Sequence, residues 1–282
     1  MKKLTQGKSL LNYFFVVLLF LGFSIASASP ISAQDLDVPY VPTPDNVVER
    51  MLDITDVESS DYVIDLGSGD GRIVIAAAKR GASGHGIDLD PKRIAEAREN
   101  ARNEGVDDQI MFMKGDIFDT DFSEASVITM YLLPSVNKKL RPELIEKLQP
   151  GTRVVSHSFD MGSWKADKKV VVINDGRSHD IYYWVIPAQT EGTWSWSYNG
   201  TDFNMTVNQR FQEISVKLTD NNNTFFDIHK AELKGKRLTV RASNGDQNYI
   251  FSGRVEGDKI YGMMQHHNGQ KKNFSQWSAT KK

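Results

Sequence analysis

Residues 61–81 read DYVIDLGSGDGRIVIAAAKRG. The stretch opens on an apolar run that ends at Leu66, passes through glycines at positions 67, 69 and 71, and closes on an alanine-rich run with helical character. This order is typical of the strand, loop and helix that hold a nucleotide-like ligand in α/β proteins. Because none of the three glycines carries a Cβ atom, the backbone can turn sharply and approach a ligand closely. The stretch therefore predicts a ligand-binding βα unit.

Strand-like and helix-like runs alternate from this unit to Pro187, which predicts a Rossmann-like, mostly parallel sheet with helices on both faces. Only residues 175–179 separate the last two strand-like runs, so we expect an antiparallel hairpin at the end of this α/β fold. The seven predicted strands are 61–66, 84–89, 109–114, 125–131, 152–158, 169–174 and 180–186, and the predicted helices are 71–80, 91–104 and 135–148.

The residue pattern of the sequence changes near residues 187–191. Residues 190–282 contain eight short alternating runs, separated by turn signals such as Asn199-Gly200 and Asn244-Gly245. Alternation with a period of two and frequent turns predicts a small all-β barrel or sandwich. We therefore expect an α/β domain over residues 34–188 and an accessory β-domain over residues 190–282, whose aromatic residues either fill a small core or contact a ligand.

The first 33 residues have the layout of a secretory signal peptide. Lysines at positions 2, 3 and 8 precede an apolar run over residues 13–23, and the small residues at 26–28 offer a cleavage site, with Ile31-Ser32-Ala33 as a second option. The alternative is an uncleaved membrane anchor through residues 13–23. Either interpretation keeps the basic flank inside, so we expect an exported, periplasmic or otherwise extracytoplasmic protein, or one anchored by its N-terminus.

Composition excludes several classes of function. The chain has 282 residues, a formal net charge of −2 and no cysteine. A near-neutral chain lacks the clustered basic charge of a nucleic-acid-binding protein, so we expect no nucleic-acid partner. The absence of cysteine excludes disulfides and thiolate metal ligands. His266 and His267 are adjacent and point to opposite faces of a predicted strand, so we expect no metal site there.

The loop at residues 65–71 has the pattern D-x-G-x-G-x-G, which differs from the dinucleotide pattern G-x-G-x-x-G. Asp65 and Asp70 would repel a pyrophosphate and suit a ligand that carries an ammonium group. Two alternatives stay open, since Asp65 could accept only from loop N–H groups and Asp70 could form a surface ion pair with Arg72.

Two further acidic residues follow the next predicted strands. Asp88 lies 23 positions after Asp65, where a carboxylate can accept both hydroxyl protons of a ribose. Asp116 could accept from the exocyclic amine of a base while Ile117 packs on the face of that base. The alternatives are a helix cap for Asp88, for which Asp90 is the better candidate, and a turn residue for Asp116. Sites for an ammonium group, a ribose and an adenine together describe S-adenosylmethionine.

The segments DLGSGDGR, GIDLDP and GDIFD resemble the first, second and third binding motifs of class I S-adenosylmethionine-dependent methyltransferases, in their order and spacing. The resemblance covers about residues 38–187 and implies a methyl-transferring enzyme with that cofactor. The residues expected to bind the cofactor are Asp65, Gly67, Ser68, Gly69, Asp70, Gly71, Asp88, Leu89, Asp116 and Ile117.

A narrower resemblance concerns PYVPTP at residues 39–44 and YLLP at residues 131–134. Both are similar to segments of small protein-lysine methyltransferases related to the mitochondrial ATP synthase c-subunit enzyme. This resemblance implies N-methylation of a protein lysine, with a small-molecule acceptor as the alternative. We expect Tyr131, Tyr40 and Thr43 to position the reacting groups, although Tyr131 could also be an ordinary aromatic residue at a strand end.

A different class of function is also compatible with the sequence. The methyl donor is made in the cytoplasm, whereas the N-terminal sequence predicts export. An exported, degenerate domain that retains the fold and binds another ligand would agree with both observations. A binding module is therefore the alternative to an enzyme.

Overall fold

A computed structural model describes residues 40–269 and 271–282, which belong to one compact unit. The predicted signal segment lies outside the described residues. No helix in the described part of the chain is long and apolar enough to span a membrane. The described helices are α1 (Asp45–Ile54), α2 (Arg72–Lys79), α3 (Pro91–Asn103) and α4 (Pro134–Lys147). The strands before Pro187 are β1 (Tyr62–Leu66), β2 (Ser83–Asp88), β3 (Ile110–Lys114), β4 (Val127–Met130), β5 (Arg153–His157), β6 (Lys168–Asn174) and β7 (Arg177–Val185).

These strands form one sheet in the order β3-β2-β1-β4-β5-β7-β6. Strands β1 to β5 pair in parallel, whereas β7 pairs antiparallel with both β5 and β6. The predicted seven-stranded α/β sheet with a terminal antiparallel hairpin is confirmed. Strand order reverses between β1 and β4, and α/β proteins bind ligands in the crevice that such a reversal opens at the carboxyl ends of the strands.

The central strand β1 is covered on both faces. Ile64 and Leu66 are buried in the core that contains Leu140 and Leu144 of α4. Val63 points to the other face, where it packs in the core built by α1 and α2. Side chains alternate between the two faces along a strand, so a strand between two helical layers is apolar throughout. This burial fixes the position of the glycine loop that follows β1.

The strands after Pro187 form a second, antiparallel sheet in the order β10-β9-β8-β15-β14-β13-β12-β11. They are β8 (Gly192–Tyr198), β9 (Thr201–Arg210), β10 (Glu213–Asp220), β11 (Asp227–Lys234), β12 (Arg237–Asn244), β13 (Gln247–Glu256), β14 (Lys259–His267) and β15 (Lys272–Lys281). The sheet is nearly closed, because the Phe226 N–H, just before β11, donates to the Leu218 carbonyl of β10 over 3.0 Å. The predicted small all-β barrel-like arrangement is confirmed.

The aromatic residues of this second sheet form a packed core. Trp196 stacks on Phe203 with ring centroids 5.3 Å apart, and Phe251 and Trp277 contact Trp196 edge to face. All four are less than a tenth exposed. Aromatic clusters of this kind bury large areas and stabilise a small sheet. The packing supports the interpretation in which the aromatic residues fill a core.

Contacts also join the two sheets. The Trp164 indole N–H, after β5, donates to the Gln212 side-chain oxygen over 2.8 Å, and the Phe211 ring stacks on Trp164. The Ala188 N–H donates to the Gly235 carbonyl over 2.9 Å. Trp164 is fully buried. The second sheet is therefore docked against the first through the turn that connects β9 and β10.

Candidate active site

A cleft opens at the carboxyl ends of β1 to β4, where the strand order reverses. It encloses about 950 Å³ of space, part of which is open to solvent. The lining combines acidic, aromatic and aliphatic side chains. Of the residues predicted from sequence, those that line it are Tyr40, Thr43, Asp65, Gly67, Ser68, Gly69, Asp70, Asp88, Leu89, Asp116, Ile117 and Tyr131.

The glycine loop is closely packed. Gly67 and Gly69 have positive φ angles of 83° and 53°, which favour glycine because a Cβ atom is strained there. A Cβ atom at Gly69 would also lie 2.5 Å from the Tyr40 ring, and one at Gly67 would lie 2.7 Å from Leu132. Gly71 differs from the other two, because it packs against the Phe112 ring and Ala97 rather than lining the cleft. Gly71 is therefore the predicted cofactor-binding residue that the cleft lining does not include.

Asp65 is the most buried carboxylate of the cleft, with 2% of its surface exposed. In-register pairing places it beside Thr129 of β4, whose hydroxyl donates to the Asp65 carboxylate over 2.6 Å. Burial raises the pKa of Asp65, the Thr129 hydrogen bond lowers it, and the charges of Asp88 and Asp70 raise it, with a net pKa of about 7. A cation bound in the cleft would stabilise the ionised form of Asp65 and lower its pKa. Asp65 is therefore suited to bind an ammonium group.

Asp88, at the end of the neighbouring strand β2, binds the backbone of the glycine loop. Its carboxylate accepts from the Gly69 N–H and from the Asp90 N–H, both over 2.8 Å. Asp90, rather than Asp88, caps α3 by accepting from the Lys92 N–H over 2.8 Å. Each oxygen of a carboxylate can accept more than one hydrogen bond, so the carboxylate of Asp88 remains able to accept from ribose hydroxyls.

Asp70 is already paired with a cation. Its carboxylate accepts from the Arg72 guanidinium, with a shortest distance of 2.6 Å. Burial alone would raise the pKa of Asp70, but the hydrogen bonds and charge of Arg72 outweigh it and hold the pKa below its usual value. Arg72 also donates to the Thr43 carbonyl over 2.9 Å. Asp70 therefore tethers the segment before α1 through Arg72, whereas Asp65 has no salt-bridge partner among the described residues.

Asp116 and Ile117 lie beyond β3 at the far end of the cleft. One Asp116 oxygen accepts from the Phe118 N–H over 2.9 Å, so the turn role considered from sequence is present. The second carboxylate oxygen can still accept from a ligand. Ile117 is 9% exposed and belongs to the main core, which holds it rigidly as an apolar wall.

Residues 40–44, here called the strap, cross the glycine loop. The Tyr40 ring lies against Gly69, and the Arg93 guanidinium of α3 lies 4.3 Å from the centre of that ring. A cation over an aromatic face is attracted to it. Thr43 is 4% exposed, and its hydroxyl lies 3.1 Å from His157 Nδ1. These contacts and the Arg72 hydrogen bond fix the strap over the cleft.

Tyr131 lines the cleft, and its ring packs on two residues from the end of β5. Its ring centre lies 3.9 Å from that of His157 and 6.2 Å from that of Phe159. His157 is fully buried, and burial together with the neighbouring His179 lowers its pKa to about 4. The imidazole is therefore neutral at pH 7. Sequence reasoning missed His157, although its place at the carboxyl end of a predicted strand was a usable signal.

The cleft fits a cofactor that carries an ammonium group and a nucleoside. The Ser68 hydroxyl is buried in the lining and has no hydrogen-bond partner among the described residues. A buried polar atom of this kind calls for a ligand. Asp65, Asp88 and Asp116 supply acceptors at successive strand ends, and their charges would repel a pyrophosphate. This fold and this site define a class I S-adenosylmethionine-dependent methyltransferase.

Comparison with known proteins gives the family. Residues 65–168 match the family model described as the ANTKMT methyltransferase domain. A protein-lysine N-methyltransferase of Saccharolobus islandicus is 47% identical over 152 residues, which are 53% of this chain and 94% of that protein. The lysine N-methyltransferase of the ATP synthase c-subunit from Xenopus laevis is 34% identical over 50% of this chain and 64% of its own length. The chain belongs to this methyltransferase family and is an enzyme that uses S-adenosylmethionine.

A solved structure agrees on the fold and the cofactor. It is described as an RNA methyltransferase from Salinibacter ruber in complex with S-adenosyl-L-homocysteine. It is 54% identical, covers 53% of this chain and 96% of its own, and superposes with a TM-score of 0.50. S-Adenosyl-L-homocysteine is the cofactor after loss of its methyl group. Each of these three matches covers about half of this chain.

Proposed function

We propose that this enzyme transfers a methyl group to the side-chain amine of a lysine in a protein. The observation that carries the proposal is the aromatic part of the cleft lining, which Tyr40, Phe118 and Tyr131 form together with the glycine loop. A slot with apolar and aromatic walls disfavours a charged amine and so lowers its pKa, which supplies the neutral nucleophile that the reaction needs. The names of the Saccharolobus and Xenopus relatives support the same acceptor.

The cofactor roles proposed here follow from the contacts of the acidic residues. Asp65 faces the ammonium group, because it is buried and has no cationic partner among the described residues. Asp88 accepts from the ribose hydroxyls, while Asp116 and Ile117 contact the adenine. S-Adenosylmethionine, when bound, supplies a methyl group activated by a sulfonium. The chain itself aligns the amine with that methyl group and excludes water.

Binding and transfer are tested separately with the full chain. Isothermal titration with S-adenosylmethionine should detect binding that Asp88→Ala weakens by roughly 100-fold, because two charge-assisted hydrogen bonds are lost. Asp107→Ala is the matched control, since Asp107 is exposed in the turn before β3. Absence of binding by the wild-type chain would favour the degenerate binding module over the enzyme.

The acceptor is tested with radiolabelled cofactor and three probes in parallel: a lysine-rich unstructured peptide, bulk ribosomal RNA and free L-lysine. Methyl-lysine after acid hydrolysis of the peptide is the expected product. Label in the RNA alone would instead support the activity named for the Salinibacter structure. Label in free lysine alone would support a small-molecule acceptor.

We also propose that residues 1–33 direct the body of the protein out of the cytoplasm, either as a cleaved signal or as an anchor through residues 13–23. The basic flank and the apolar run support this. Alkaline phosphatase fused to the C-terminus should be active, because its disulfides form only outside the cytoplasm. The same fusion without residues 2–33 is the control. An inactive fusion with the complete chain would place the enzyme where its cofactor is made.

A further inference from the structure

Three side chains form a continuous hydrogen-bonded row from the cleft toward the outer strands of the first sheet. The Thr43 hydroxyl lies 3.1 Å from His157 Nδ1, and His157 Nε2 lies 2.9 Å from His179 Nδ1. Thr43 lines the cleft, His157 is fully buried, and His179 on β7 is half-buried. The row therefore begins at the cleft and ends at a residue that solvent reaches.

Each element packed around His157 contributes a group to its surroundings. The strap contributes Thr43, Tyr131 follows β4, and β7 contributes His179. The charged side chains of neighbouring segments are engaged with one another. Asp180 of β7 pairs with Lys169 of β6 over 2.9 Å, and Asp70 pairs with Arg72, which also lies 3.7 Å from Asp45 of α1.

A lysine side chain reaches the cleft mostly as an ammonium ion, which has no lone pair for attack on the methyl group. Once the cofactor and the substrate fill the cleft, the departing proton needs another route to water. We propose that Thr43, His157 and His179 form a relay that carries the proton of the substrate ammonium from the cleft to the surface. This inference rests on the proposed amine substrate and assigns two relay residues, His157 and His179, that sequence reasoning missed.

The relay moves one proton at each transfer, and the numbers of protons and electrons are conserved. The ammonium proton passes to the Thr43 oxygen while the hydroxyl proton moves to His157 Nδ1. In the same step the His157 Nε2 proton moves to His179 Nδ1, and the His179 Nε2 proton leaves to solvent. The amine nitrogen keeps its lone pair and bonds to the methyl carbon, while the carbon–sulfur bond breaks and leaves a neutral thioether. After the product leaves, the same transfers run in reverse, from solvent at His179 to water in the open part of the cleft, and restore both starting tautomers.

The protonation state of His157 supports this assignment. Passage through a ring needs one accepting and one donating nitrogen, which only neutral imidazole provides. Burial and His179 hold the pKa of His157 near 4, so the ring stays neutral at physiological pH. It can pass a proton onward without storing a buried charge.

The test measures kcat between pH 6.5 and 9.5 with the lysine-rich peptide and the full chain. His179→Ala should lower kcat about tenfold at pH 7, since a positioned proton acceptor contributes at least that much. The deficit should shrink above pH 9, where solvent itself deprotonates the amine, and added imidazole should restore part of the rate. Cofactor affinity should be unchanged. His229→Ala, on the second sheet, is the matched control.

The possible results distinguish a failure of the relay from a failure of the proposed function. A deficit of the same size at every pH, with no response to imidazole, would overturn the relay and assign His179 a structural role. An unchanged kcat in His179→Ala would also overturn it. Absence of methyl-lysine with the wild-type chain would overturn the acceptor and the relay together. His157→Asn should reproduce the pH-dependent deficit, and its melting temperature controls for loss of fold.

Discussion

Asp65 of β1 is buried, accepts a hydrogen bond from Thr129 and lies near the carboxylates of Asp88 and Asp70. Its folded-state pKa of about 7 lies above the ordinary value of 3.8. For an acid, a raised folded-state pKa means that the folded state binds the proton more tightly than the unfolded state does. Stability is therefore lost as the pH rises from 3.8 toward 7, and the loss is complete above pH 7.

The first prediction concerns stability. Asp65→Asn should raise the free energy of unfolding at pH 8, by roughly 4 kcal/mol at most, because the carboxamide carries no buried charge. The carboxamide oxygen can still accept from Thr129. At pH 4 the variant and the wild type should unfold alike. Urea unfolding of the cofactor-free chain at both pH values measures this, and equal differences at both would contradict the pKa assignment.

The second prediction concerns cofactor affinity. If the ammonium group binds ionised Asp65, the dissociation constant should rise as the pH falls below 7, by up to tenfold per pH unit. Asp65→Asn should bind more weakly at pH 8 and lose this dependence. Titration calorimetry from pH 5.5 to 8.5 provides the measurement. A dependence that survives in the variant would assign it to another group.

At the scale of elements, the strap and the glycine loop act together, because the Tyr40 ring lies where a Cβ atom at Gly69 would be. Gly69→Ala should therefore displace the strap and weaken cofactor binding tenfold or more. Gly105→Ala is the matched control, since Gly105 also has a positive φ but meets nothing within 4 Å. Both variants should lose about 1 kcal/mol of stability from backbone strain. Equal affinity in the two would contradict a role for the strap.

Most elements of the first sheet were predictable from local patterns. The apolar run before the glycine loop and the alternation of strands and helices gave the predicted boundaries to within a few residues. Pro91 begins α3 as expected, because its missing N–H costs nothing at a helix start. The pairing of Asp70 with Arg72 could not be decided locally, because the guanidinium also needs the Thr43 carbonyl, which is 29 residues away.

At the scale of the whole molecule, the turn between β9 and β10 docks the second sheet on the first. Phe211→Ala should lower the free energy of unfolding by roughly 2 kcal/mol, because it removes the half-buried ring that stacks on Trp164. Phe274→Ala is the control, since that ring is 67% exposed. Thermal unfolding and protease cleavage within residues 186–191 measure the effect. Equal behaviour of the two variants would contradict the docking role.

The sequence by itself determined the α/β sheet, the small antiparallel sheet and the acidic residues of the cleft. These features depend on residue spacing along the chain, and strand ends in a parallel sheet meet at one edge. Only the tertiary structure brought Thr43, His157 and His179 into one row, because their hydrogen bonds join residues 114 and 22 positions apart. It also set the protonation of Asp65 and His157, since desolvation depends on how the whole fold excludes water.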